Sequence, residues 1–311
     1  MWRRRPDGTL SKNVDNTRRA MPYLMRGRNE SAVYLEHDVD LLKADAFISE
    51  WNQVNPQLRI DVFHLALWEL KEALVRYPDV HRFVAGGRLY DRHGVWFSYA
   101  IKAKLAEGAP FITVKRRFDL DTTFGDMVVG MDQEQTRARS GETNTVEKEL
   151  DLLMKFPSFM RRIIMTVIRA GDRWGTLPRD YIEKDPMFTS CFWANMASLG
   201  MPAVFHHLYE YGTGTIFCSI GRPVPVAGGT AIGPDRHRVV TLKWTYDERA
   251  DDGLATWFVL RRLKRNMEDP AGAGGIVIER LGANAVEPTP EPAPEPEAAA
   301  PIETAAAPVD S

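Results

Sequence analysis

Two hydrophobic periods alternate along residues 31–270. SAVYLEHDVDL (31–41) places apolar residues at every second position, which predicts a half-buried strand. IDVFHLALWELKEALVRYP (60–78) carries them at helical spacing and stops at Pro78, which cannot continue the backbone ladder. FVAGGRLYDRHGVWFSYAI (83–101) reads as a strand, a turn at Asp91–Gly94 and a second strand. FITVKRRFDL (111–120) predicts another strand, and TVEKELDLLMKF (145–156) a helix. SCFWANMASLG (190–200) and GTIFCSIGRP (214–223) are short apolar runs of the kind that form buried strands. RVVTLKWTYDER (238–249) is a strand, and LATWFVLRRLKRNMEDP (254–270) a terminal helix ending at Pro270. The order predicts one mixed α/β domain over residues 1–284.

One segment stands out within it. In FPSFMRRIIMTVIRAGDRW (156–174), Phe156, Phe159, Met160, Ile163, Ile164, Val167 and Ile168 fall on one helical face. Lys155, Arg161, Arg162, Arg169 and Arg173 flank it, and Pro157 suits a first helical turn. So wide an apolar face needs a cover. The expectation is packing on its own subunit or a neighbouring copy. The alternatives are a partner groove or lid, centred on Phe159, Ile163, Ile164 and Val167, and contact with a membrane surface.

Composition changes this picture in two places. The content is ordinary for a globular protein, 44% hydrophobic and 26% charged. The net charge of −2 hides an asymmetry: residues 285–311 hold six acids and no Lys or Arg, and without them the remainder is +4. That Pro/Glu/Ala-rich tail carries no large aromatic, cannot offset its ordering entropy by burial, and is expected to be disordered. It is an inert solubilising tail or a docking segment. The near-neutral balance gives no reason to expect a nucleic-acid partner. No run reaches the roughly 18 apolar residues of a membrane span, and MWRRRPDGTLSK lacks the apolar stretch of a secretory signal. A cytoplasmic protein is expected, with a membrane partner not expected. Cys191 and Cys218 lack metal or redox spacing and are expected to be buried thiols. His206-His207 has no further ligands at suitable spacing, so no metal site is expected. The AGAGG run at 271–275 follows a helix instead of a strand and is no dinucleotide fingerprint.

Four stretches carry a family resemblance. They are RRAMPYLMRGRNESAVYLEHDVDL near the start, ALVRYPDVHRFVAGGRLY, FWANMASLG, and YDERADDG at 246–253. In this order they resemble the catalytic domain of the 2-oxo acid dehydrogenase complex acyltransferases, which shares its fold with chloramphenicol acetyltransferase. The resemblance spans roughly residues 11–270, with an added helical segment at 143–186. It implies an α/β fold with a mixed sheet flanked by helices, a homotrimer, and acyl transfer between coenzyme A and a thiol or hydroxyl acceptor. It also implies an active site built between subunits. There a histidine takes the acceptor's proton and a Ser or Thr hydroxyl steadies the oxyanion.

The resemblance breaks at those two groups. The last motif reads Tyr-Asp-His-Arg-x-x-Asp-Gly in the family; here the histidine position is Glu248, while Arg249, Asp252 and Gly253 match. Counting back from Asn195, the hydroxyl position is Ala194. A free Glu is a weaker base than a free His by about 3 kcal/mol, and loss of one oxyanion donor costs on the order of 10²–10³ in rate. The sequence therefore predicts a structural or regulatory homologue that has lost ordinary acyl transfer, or else an acyl-CoA-dependent enzyme using Glu248 as base. Neither a lipoyl hairpin nor a small subunit-binding domain is recognisable in the chain.

Overall fold

The computed structural model describes residues 5–102, 111–140, 152–226, 237–251 and 253–281. The expected tail at 285–311, Asp252, and most of the helix expected at 145–156 lie outside the described residues. In chain order the elements are β1 (Gly8–Leu10), α1 (Asn16–Leu24), β2 (Ala32–Asp40), α2 (Leu42–Val54), α3 (Val62–Arg76), a 3-10 turn (Pro78–His81), β3 (Phe83–Ala85), β4 (Arg88–Arg92), β5 (Val95–Lys102), β6 (Phe111–Phe118) and α4 (Phe124–Ser140). Then come α5 (Ser158–Trp174), α6 (Arg179–Lys184), β7 (Cys191–Asn195), a 3-10 turn (Ala197–Leu199), β8 (Ile216–Ile220), β9 (Val224–Pro225), β10 (Arg238–Asp247) and α7 (Leu254–Glu268).

The main sheet runs in the order β2-β10-β8-β7-β5-β6, with β9 pairing beside β10. β7 is parallel to both β5 and β8, and the other pairings are antiparallel. The mixed sheet follows from connection length: β5 and β7 are separated by long helical crossovers, which parallel neighbours require. On its inner face the period of two delivers Val39, Phe97, Cys191, Trp193, Cys218, Leu242 and Trp244, all buried. They meet Leu65, Leu67, Leu70 and Leu74 of α3, Phe47 and Trp51 of α2, and Val259 and Leu263 of α7 in one core. Cys191 and Cys218 are free thiols inside it.

The stretch 83–101 departs from expectation. Its first strand is two, β3 and β4, folded on each other through Gly86-Gly87 with Ala85 opposite Arg88. Both glycines have positive φ, 58° and 74°, the requirement of a tight two-residue hairpin. The chain then leaves this small sheet, in which β4 lies between β1 and β3, and enters the main one as β5. Two further helices, α2 and α4, present a core-facing side: Ala44, Phe47, Ile48 and Trp51, and Phe124, Met127, Val128 and Met131.

α5 packs only in part on the described chain: Phe156 just before it and Met160, Ile164 and Ile168 within it are half-buried, and Phe159, Ile163 and Val167 are not covered by it. No residue of α5 is fully buried. Pro157 precedes the first turn and occupies the N-cap position. The helix is held at its C-terminal end, where Arg5 bonds the Asp172 carboxylate at 2.7 Å and also its carbonyl.

Candidate active site

The motif that opens α7 is tied down by an ion pair two residues long. Arg249 reaches back to Asp247, Nε to Oδ1 at 2.9 Å and Nη2 to Oδ2 at 2.7 Å. Its remaining nitrogen donates to the carbonyls of Arg26 and Met25, and Ser31 Oγ adds a bond to Asp247 at 2.8 Å. Both partners are buried, so each charge depends on the other. Arg249 is thus a strut joining the end of β10 to the segment after α1.

The helix-start carboxylate is Asp251, one position before the residue the motif points to. Its Oδ2 accepts from Gly253 N–H, Thr256 N–H and Thr256 Oγ. These are donors that the first turn of a helix leaves unpaired. Gly253 sits at φ 88°, and a Cβ there would lie 2.7 Å from Tyr246 Oη. The glycine is required twice, by the backbone conformation and by the phenol. Glu248 is half-exposed at the end of β10. Its N–H donates to the Ser31 carbonyl at 2.9 Å, and its carbonyl accepts from Arg18.

The second half of the candidate site is at the other end of the sheet. Ala194 is level with Ser219 on β8, which is level with Lys243 on β10. Glu248 lies five residues beyond Lys243, a separation of about 16 Å along the strands. One copy of the chain therefore does not bring Ala194 and Glu248 together. Ala194 is on the sheet's outer face, since Trp193 faces the core and Phe192 stacks on Phe217 outside it. The hydroxyl opposite it on β8, Ser219 Oγ, is fully buried and occupied: it donates to the Val204 carbonyl at 2.6 Å and accepts from Val204 N–H at 2.9 Å. Asn195 closes the turn after β7, accepting from Ser198 N–H through its side chain and from Ser198 Oγ through its carbonyl.

Around these positions lie a layer and a cleft. Residues 201–211 cover the outer face, with His206 stacked on Phe217 at 4.0 Å and its carbonyl accepting from Thr245 Oγ. Partial burial lowers the His206 pKa from its usual value. His206 and His207 thus pack over the sheet, and among the described residues no group of three or more His, Cys, Asp or Glu side chains is placed to hold a metal. The cleft, about 530 Å³, opens beside Asn195 and Ser198, with Asn52, Arg59, Asp61 and Arg238 on its walls. Arg238 is committed to buried Asp45 through two bonds, at 2.6 and 3.0 Å. Asp61 caps α3. Arg59 is exposed.

Sheet order and helix placement together give the fold of the 2-oxo acid dehydrogenase acyltransferase catalytic cores. Solved structures agree. The cubic core of a pyruvate dehydrogenase multienzyme complex is similar with a TM-score of 0.54 and 14% identity, covering 85% of this chain and 94% of that one. The dihydrolipoamide acetyltransferase of Azotobacter vinelandii gives the same figures. A truncated catalytic core of the 2-oxoacid dehydrogenase multienzyme complex from Thermoplasma acidophilum gives 0.52 and 12%, covering 84% and 98%. No protein-family model matches the chain, and no curated protein matches it.

Proposed function

We propose that this protein is a trimer-forming relative of the acyltransferase core that has lost ordinary acyl transfer and acts as a structural or regulatory protein. The observation that carries this reading is the pair of replacements, Glu248 and Ala194. In the Azotobacter vinelandii enzyme a serine, a histidine and an asparagine were studied for roles in the catalytic mechanism, and the last two are four positions apart. Glu248 and Asp252 have that spacing here. A carboxylate stands where the base would be, a methyl where the hydroxyl would be, and the neighbouring Ser219 hydroxyl is already spent on Val204. The surrounding residues serve architecture: Arg249 and Asp251 hold the turn, and Gly253 admits it.

The distance between Ala194 and Glu248 supports assembly, because a second copy is needed to bring the two positions face to face. The outer layer supports it as well: Tyr34 and Phe205, in edge-to-face contact, and Met201 and Tyr209 are exposed apolar side chains. The cleft beside Asn195 is the place we assign to coenzyme A, with exposed Arg59 as the wall cation not already paired among the described residues.

The experiment is an assay of acetyl transfer from acetyl-CoA to dihydrolipoamide and to chloramphenicol. The expected result is no transfer above the uncatalysed rate. Turnover by the wild type that disappears in Glu248→Gln defeats the proposal and assigns Glu248 as the base.

A further inference from the structure

We propose that α5 is an interfacial helix that seats this protein on an anionic lipid bilayer. The inference is independent of whether the acyl-transfer site works. Phe159, Ile163, Val167 and Trp174 are 61%, 58%, 65% and 62% exposed. Their spacing places them along one side of the helix. The adjoining side carries Ile164, Met165 and Ile168, which line an apolar cleft of about 450 Å³ with Tyr181 and Met187. The two sides make one continuous apolar arc, and the described parts of the chain leave its outward side uncovered.

Charge identifies the occupant. Lys155, Arg162 and Arg169 are exposed beside the arc, and no carboxylate pairs with them among the described residues. The one acid of α5, Asp172, is turned inward onto Arg5. The outward side of α5 itself is therefore apolar and cationic, and the acid that lines the adjoining cleft, Asp185, is engaged by the Tyr211 hydroxyl. A second copy docking this face on itself would bring these cations against one another; a trimer contact through a different face is the outcome that the particle-size measurement below detects. An anionic bilayer offers both complements at once: acyl chains for the stripe and acidic headgroups for the cations.

Length and anchoring agree. Seventeen residues extend about 25 Å, and no helix among the described residues is long and apolar enough to cross a membrane. The helix lies along a surface. Its C-terminal end is fixed by Arg5 and by the β3–β4 turn, where the Arg173 carbonyl packs against Gly86. The stripe is thus presented on a rigid base.

The test is co-sedimentation of the full chain with phosphatidylcholine vesicles, with and without a quarter of phosphatidylglycerol. Binding is expected to the anionic vesicles, at least tenfold weaker to the neutral ones, and reduced by added salt. The double variant Ile163→Asp, Val167→Asp is expected to lose binding with an unchanged melting temperature, because both side chains face solvent. Arg162→Gln with Arg169→Gln is expected to weaken anionic-vesicle binding by about fivefold for each cation. Trp174 is expected to be quenched by brominated lipid, a signal lost in Trp174→Phe. Failure of the wild type to sediment, or equal binding by the aspartate variant, overturns the proposal. So does a change in particle size of that variant without lipid, which would make the face a subunit interface.

Discussion

At the scale of single residues, the chain spends its buried charges on architecture. The Asp247–Arg249 pair is the clearest case: both members are buried and each completes the other's hydrogen bonds. Arg249→Ala is expected to cost about 3–5 kcal/mol, because it strands a buried carboxylate. Urea unfolding measures it, and an unchanged midpoint would show the pair to be dispensable. Glu69 is a second case. It is buried under α7, one oxygen held by Asn266 at 2.7 Å and the other without a partner. Burial pushes its pKa up to about 7, with Glu72 adding to the rise and Asn266, Arg262 and Arg265 opposing it. The folded protein therefore keeps a proton that the unfolded chain gives up near the usual glutamate value. This contribution is fully present below that value and is lost as pH rises toward 7, a change of about 3 kcal/mol at most. Glu69→Gln is expected to flatten that decline, so that the variant gains over wild type at pH 8 but not at pH 4. Parallel denaturation curves at both pH values check it.

At the scale of elements, most strands and the two helices α3 and α7 were legible because each repeats a local period over enough residues. The β3–β4 split was legible too, in Gly86-Gly87, a dipeptide suited to a two-residue turn. It was hidden by the continuous apolar run around it. The start of α7 shows a finer limit. DDG offers two carboxylates side by side, and only the path of the chain out of β10 decides that Asp251 turns back to cap the helix. Gly253→Ala tests this turn. It forces a Cβ against Tyr246 at a positive φ and is expected to cost on the order of 1–3 kcal/mol, read from the melting temperature. A cost near zero would mean that the turn can relax around the phenol.

At the scale of the whole molecule, the candidate site is divided between the two ends of one sheet. Its chemistry and its assembly are therefore one question. Light scattering is expected to give three times the chain mass. Phe205→Asp, which places a charge on the exposed apolar pair Tyr34–Phe205, is expected to lower that value. A wild type running as a monomer would defeat the trimer and leave Ala194 and Glu248 without a way to meet.

By itself the sequence determined the fold and the residues at the two motif positions, Glu248 and Ala194, since hydrophobic period and residue identity are local properties that need no partner to be read. The tertiary structure decided what depends on neighbours. It decided that Ser219, one strand from Ala194, is already committed, that Asp251 turns back onto the first turn of α7, and that the outward side of α5 finds no cover on the described chain. An amphipathic pattern states that a face must be buried. Only the arrangement of every other element states whether anything is there to bury it.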